Sequence, residues 1–129
     1  MLLFAALVND QRIYNASEKR EKSFYFLIVD EIAHRFTSDL TSSELAKTLH
    51  MNHSYFCRLF RKSFGYCFQN YLCIYRIEKS KPLLKNTSLS ISEIALLVGF
   101  NNLSYFCKKF KEYTLVSPKE YRQSKNSKA

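Results

Sequence analysis

Ser54-Tyr55-Phe56-Cys57 recurs fifty residues later as Ser104-Tyr105-Phe106-Cys107. The flanks follow it at the same offset: Phe60 is matched by Phe110, Arg61 by Lys111, Tyr71 by Tyr121 and Asn52 by Asn102. Upstream the offset is forty-nine, with Ser43-Glu44-Leu45-Ala46 against Ser92-Glu93-Ile94-Ala95, so one residue is gained in a short connection where a turn absorbs it. A self-match at fixed period marks a structural unit used twice.

Each unit opens with a helix start. In Leu40-Thr41-Ser42-Ser43-Glu44-Leu45, Thr41 can cap, Glu44 can reach back and Leu40 can staple onto Leu45. Leu89-Ser90-Ile91-Ser92-Glu93-Ile94 repeats the device. Ala46 and Ala95 leave room for another helix to cross closely. The chain must then turn, at His50 and at Gly99, where a left-handed residue is expected; glycine enters that region freely and histidine less often. Asn52 and Asn102 are placed to cap a second helix in each unit.

Those second helices are expected to run to about Ser63 and Tyr113. In the first, Phe56, Leu59 and Phe60 face inward, while Ser54, Cys57, Arg58 and Arg61 share the opposite face at i, i+3, i+4 and i+7. The second presents Ser104, Cys107, Lys108 and Lys111 outward, with Leu103 beside them. A helix, a tight turn and a second helix with small and basic residues outward form the helix-turn-helix pattern, whose second helix enters a major groove.

Phe68 to Lys85 joins the units, with Tyr71, Leu72, Ile74, Tyr75, Ile77 and Leu84 giving a helical pattern. Such a helix is about 27 Å long, close to the roughly 34 Å between successive major grooves on one face of a duplex. Pro82 lies inside it and predicts a kink or a break near Lys81.

Ahead of the repeat, residues 2–16 read as a short helix, and Ser17 to Lys22 as a charged connector or exposed helix turn. Ser23 to Phe36 reads as a helix with Tyr25, Ile28, Val29, Ile32 and Phe36 on one face and His34 in its last turn. Ser117-Pro118-Lys119-Glu120 starts a short last helix. The expected class is all-α: residues 1–22 an N-terminal helix and linker, 23–67 a first helix-turn-helix subdomain, 68–86 a linker helix, 87–123 a second subdomain, and 124–129 a disordered tail.

Composition agrees. The 129 residues are 47% hydrophobic, and eleven Phe and nine Tyr against two Gly and two Pro favour helices over a turn-rich sheet. Residues 1–50 hold six Lys/Arg and seven Asp/Glu, a balance of −1, whereas residues 51–129 hold fourteen and four, a balance of +10. The excess sits on the repeated part and points to a polyanion, nucleic acid before membrane. Cys57, Cys67, Cys73 and Cys107 form no Cys-x-x-Cys pair, so no metal is expected, and reduced thiols fit a cytosolic protein. Met1 to Val8 is too short to span a bilayer and lacks the marks of a signal peptide. No nucleophile with a plausible base, no metal spacing and no Gly-rich phosphate loop supports an enzyme, and no cofactor is expected.

Together these residues resemble the DNA-binding domain of the AraC/XylS family of bacterial transcription regulators, over about Phe24 to Gln123. The most specific part is Ile91-Ser92-Glu93-Ile94-Ala95 through Val98-Gly99-Phe100, Ser104-Tyr105-Phe106, Phe110-Lys111 and Ser117-Pro118 to Tyr121-Arg122. Leu45-Ala46, Arg58-Leu59-Phe60-Arg61-Lys62, Phe64-Gly65, Arg76 and Leu83-Leu84 agree in the first half and the joining helix. The resemblance implies seven helices, two helix-turn-helix units on one long helix, and both recognition helices in adjacent major grooves. It also implies a separate sensing or dimerisation domain, of which residues 1–16 would be a remnant if the chain is a fragment. Four positions depart from the family: His50 where Gly is common, Leu115 where Gly usually follows the second recognition helix, Ser80 for a usual Ala, and Pro82. A left-handed leucine would cost about 1 kcal/mol or more, so a different loop is expected at Leu115.

The expected partner is double-stranded DNA read in sequence. Base edges would be met by His53, Ser54, Cys57 and Arg58 in the first unit, and by Asn102, Leu103, Cys107 and Lys108 in the second. Arg58 suits guanine O6/N7 and Leu103 a thymine methyl. Asn52, Arg61, Lys62, Asn101, Lys109 and Lys111 would hold phosphates. RNA polymerase and a second copy, through residues 1–16, are the further expected partners; no membrane is. The alternative is a helical protein-interaction module in a transcription complex with only non-specific DNA affinity.

Overall fold

A computed structural model describes residues 16–124. Among the described residues there are seven helices and no strand: α1 (Ala16–Arg35), α2 (Ser42–Thr48), α3 (His53–Phe64), α4 (Phe68–Asn86), α5 (Ile91–Leu97), α6 (Leu103–Thr114) and α7 (Pro118–Gln123). The helix expected over residues 2–16 lies, but for Ala16, outside them. The chain divides into two compact units, Met1–His34 and Arg35–Ala129. No helix of the described residues is long and apolar enough to cross a membrane.

In the first unit, of the two readings for residues 17–22, a connector or an exposed helix turn, the second holds: they are the opening turns of α1. Glu, Lys and Arg are strong helix formers, and Glu18 and Lys22 stand four apart in the favourable order. The buried stripe is Phe24, Ile28 and Ile32, whereas Tyr25 and Val29 are exposed. The i, i+4, i+8 reading wins because it includes Phe24, which the i, i+3, i+4 reading passed over.

The second unit is built on α4. Leu45 and Ala46 of α2, Phe56, Leu59 and Phe60 of α3, and Phe68 and Leu72 of α4 are buried. Phe60 is the hub of the first cluster: its ring stacks on Phe64 at 4.2 Å and meets Phe68 and Tyr71 edge-on at 5.5 and 5.7 Å. The second cluster takes Cys73, Ile77 and Leu84 from α4 with Ile94, Ala95, Val98, Phe100, Phe106 and Phe110. One helix therefore serves as floor to both pairs, its N-terminal half under α3 and the rest under α5 and α6.

Local hydrogen bonds set where the short helices begin. Thr41 Oγ1 accepts from the Glu44 N–H at 3.1 Å, but the Glu44 carboxylate turns to Arg35, 3.8 Å away, so this box is closed on one side only. Ser90 with Glu93 and Ser117 with Glu120 form complete boxes. Asn52 and Asn102 cap α3 and α6 as expected, each accepting from the N–H three residues on. His50 and Gly99 both take positive φ, 57° and 106°.

Pro82 does not break α4, which runs unbroken from Phe68 to Asn86. The missing N–H frees only the Glu78 carbonyl, on an exposed turn where water can take it. Nearby, the buried Ser80 donates its hydroxyl to the Ile77 carbonyl at 2.6 Å, so the departure from alanine leaves no unmet polar group.

Leu115 also overturns its expectation, standing in the left-handed region with φ 73°, as Gly65 does at the matching place with φ 82°. Its N–H donates to the Lys111 carbonyl at 2.8 Å, and the Thr114 hydroxyl bonds the Phe110 and Val116 carbonyls. The helix-ending loop thus holds leucine where glycine would sit more easily. The side chain is 81% exposed, so no packing offsets the strain. Leu115→Gly is therefore expected to stabilise the chain by about 1 kcal/mol, read as a raised urea midpoint at unchanged m-value.

Candidate nucleic-acid interface

The inward residues of α3 and α6 fix which way each helix is turned. Phe56, Leu59 and Phe60 are buried on α3, and Phe106 and Phe110 on α6. With those anchored, Ser54, Cys57, Arg58 and Arg61 lie exposed on α3, together with His53 and Lys62. On α6, Leu103, Ser104, Lys108 and Lys111 are exposed, as are Tyr105, Glu112 and Tyr113, with Asn101 and Asn102 just ahead of them.

The two faces differ in detail. In the first unit, His53 Nε2 lies 2.8 Å from the Ser42 hydroxyl and 3.6 Å from Cys57 Sγ. The imidazole is thereby held between α2 and the open face of α3, at the helix N-terminus, where the peptide dipoles favour an anion. Further along the helix, the Arg58 guanidinium stands 5.9 Å from the Tyr55 ring centre. Asn52 keeps its carboxamide oxygen in the cap and has its NH2 group left to donate.

In the second unit, Leu103 is exposed at the start of α6 and Asn102 has the same divided amide. Cys107 is half-buried and packs against the second cluster, and burial pushes its thiol pKa up. The same tetrapeptide thus offers an open thiol in one copy and a packed one in the other. Lys109 lies back along its helix over the Tyr105 ring and donates to Glu112 at 3.2 Å. That hydrogen bond holds its pKa above the usual lysine value. Lys108 and Lys111 remain exposed.

Two contributors escaped the sequence reading. Ser42 positions His53 from another helix, and nothing in the spacing of α3 reveals it. Glu112, three residues after Lys109, was legible as a helical ion pair and marks that lysine as engaged on its own helix. What the arrangement offers is two exposed helix faces, each with an amide at its start and basic side chains along it, and no acidic residue on the exposed set of α3.

A family described as a helix-turn-helix domain matches this chain over residues 45–124. The C-terminal domain of the two-component response regulator yesN from Fusobacterium nucleatum is 41% identical, with a TM-score of 0.74, covering 77% of this chain and 97% of that one. The HTH-type transcriptional regulator YijO of Escherichia coli is 33% identical over 98% of this chain and 46% of its own length. The Msm operon regulatory protein of Streptococcus mutans is 34% identical over 94% of this chain and 44% of its own. The chain thus spans somewhat under half the length of these two relatives.

Proposed function

The chain belongs to the AraC/XylS-type helix-turn-helix family, and on that footing we propose that it is a cytoplasmic transcription regulator that reads duplex DNA with both units, placing α3 and α6 in successive major grooves. The observation that carries this reading is the pair of open helix faces, each turned outward by buried phenylalanines and each carrying exposed cations. His53, Ser54, Cys57 and Arg58 meet base edges in the first groove; Asn102, Leu103 and Lys108 do so in the second, with Cys107 at the margin. Asn52, Arg61, Lys62, Asn101 and Lys111 hold phosphates, and Lys109 joins them only by leaving Glu112. RNA polymerase is the protein partner that such a regulator acts on.

Selection of bound sequences from random duplexes tests the reading: two conserved blocks about 10 base pairs apart are expected. A single block would leave one unit without a reading role, and no enrichment would favour the protein-interaction alternative. Phosphate contacts carry no sequence information, so Lys111→Ala should weaken selected and random DNA alike. It should also lower the slope of log affinity against log salt by about one.

A further inference from the structure

The first unit brings an imidazole and a thiol together where the second does not. His53 and Cys57 stand four residues apart on α3, both exposed, with Nε2 3.6 Å from Sγ. At the matching positions of α6 stand Leu103 and Cys107, so that thiol has no imidazole four residues before it, and it is half-buried. The tetrapeptide is common to both copies; the His–Cys pair belongs to one.

Four residues is the spacing at which a helix presents two ligands to one ion, as the two histidines of a zinc-binding helix do. The distance decides whether an ion fits between them. With Zn–N about 2.05 Å, Zn–S about 2.3 Å and a tetrahedral angle, the two donor atoms stand about 3.5 Å apart. The observed 3.6 Å matches that bite. A thiolate with an imidazole is also a donor set suited to zinc and its softer neighbours rather than to magnesium or calcium. The Cys-x-x-Cys pattern does not detect such a pair, because one of its donors is a nitrogen. The Ser42 hydroxyl, 2.8 Å from the same Nε2, is the contact an ion must displace. Among the described residues no group of three or more His, Cys, Asp or Glu is placed to hold a metal. Water therefore fills the other positions, and the site is open and weak.

We propose that His53 and Cys57 form a two-ligand site for a thiophilic divalent cation of the zinc class, and that an ion held there withdraws both side chains from base reading. The second half rests on the DNA-reading role given to α3 above. On binding, the thiol loses its proton to solvent, its thiolate and the imidazole Nε2 each donate an electron pair to the ion, and nothing is oxidised. One proton leaves as a divalent ion arrives, so the face becomes more positive while it loses two base contacts. Saturating Zn2+ should therefore lower affinity for the selected duplex about tenfold, and leave affinity for random duplex unchanged or slightly raised.

Titration of the reduced full chain with Cd2+ reads the site through thiolate-to-metal charge-transfer absorbance, and Zn2+ then competes for it. Uptake of about one ion per chain is expected, with Kd on the order of 10 µM and release of about one proton. Cys57→Ser should abolish the absorbance. His53→Ala should weaken binding about tenfold, and Cys67→Ser should change neither. Thermal melts by circular dichroism confirm that each variant is folded. No uptake overturns the site, as does uptake that survives Cys57→Ser or is as tight in His53→Ala as in the wild type. The DNA measurement stands apart from these. Normal ion uptake with discrimination between selected and random duplex unchanged by Zn2+ overturns the regulatory half. Normal uptake by a chain that selects no duplex removes the reading on which that half rests and leaves the cation site in force.

Discussion

Gly99→Ala is expected to destabilise the chain by about 3 kcal/mol, while Gly65→Ala, also at positive φ, loses only about 1 kcal/mol. The two glycines end different turns and face different surroundings. A Cβ at Gly65 meets nothing within 4 Å, so only the left-handed backbone is strained. At Gly99 the Cβ would lie 2.7 Å from both Arg76 Nε and the Phe36 carbonyl oxygen, which are themselves joined by a 2.7 Å hydrogen bond. The methyl would be driven into that bond. Arg76 also donates to the Ser38 carbonyl at 2.8 Å and stands over the Phe100 ring, and burial lowers its pKa from the usual arginine value. A half-buried cation has no cheap place to go, so separating it from its carbonyl adds the loss of a charged hydrogen bond to the backbone strain. Paired urea titrations of the two variants decide the matter. Equal losses would mean that the Arg76 clamp contributes nothing, and Arg76→Ala should then be nearly neutral as well.

That clamp also explains why the copies differ at the turn. His50 occupies the place of Gly99, and its φ of 57° is within reach of a side chain, whereas the 106° of Gly99 is well beyond it. The sequence showed both turns, because the demand for a left-handed residue after a short capped helix is local. It could not show the clamp, whose hydrogen-bond partners are forty and thirty-eight residues from Arg76. The same division runs through the rest of the chain. Caps at Thr41, Asn52, Ser90, Asn102 and Ser117 act over three residues and were all legible. Leu115 was misjudged because the strain of a leucine was weighed alone, without the bonds from the Leu115 N–H and the Thr114 hydroxyl that close the loop around it. Cys57 and Cys107 stand in identical tetrapeptides and differ only in what packs beside them, which no reading of either helix alone reveals. At Pro82 the local rule foresaw a kink or a break, and no break occurs: α4 stays continuous from Phe68 to Asn86.

Arg58→Ala is expected to lower affinity for the selected duplex by about 10- to 100-fold, the worth of one good bidentate contact to guanine. Random duplex should lose much less, so the ratio between the two measures base reading apart from charge. The case for Arg58 rests on how firmly it is presented. Asn52 fixes the start of α3, Phe56 and Phe60 fix its rotation, and the Tyr55 ring supports the guanidinium from below. The helix that carries Arg58 is therefore set before binding, which spares that part of the ordering cost. Arg58→Lys separates geometry from charge. It retains the cation, so the salt slope should stay within a few tenths of wild type. It gives up the planar fork, so most of the specificity at that base pair should go. The substitution also puts in the first unit the residue type that Lys108 supplies at the matching position of the second. If the two units read different half-sites because of this one difference, the selected sequence of Arg58→Lys should become more alike between its two blocks. A selected motif unchanged by Arg58→Lys, with equal losses on specific and random DNA for Arg58→Ala, would move base reading to His53 and Ser54 and leave Arg58 a phosphate contact.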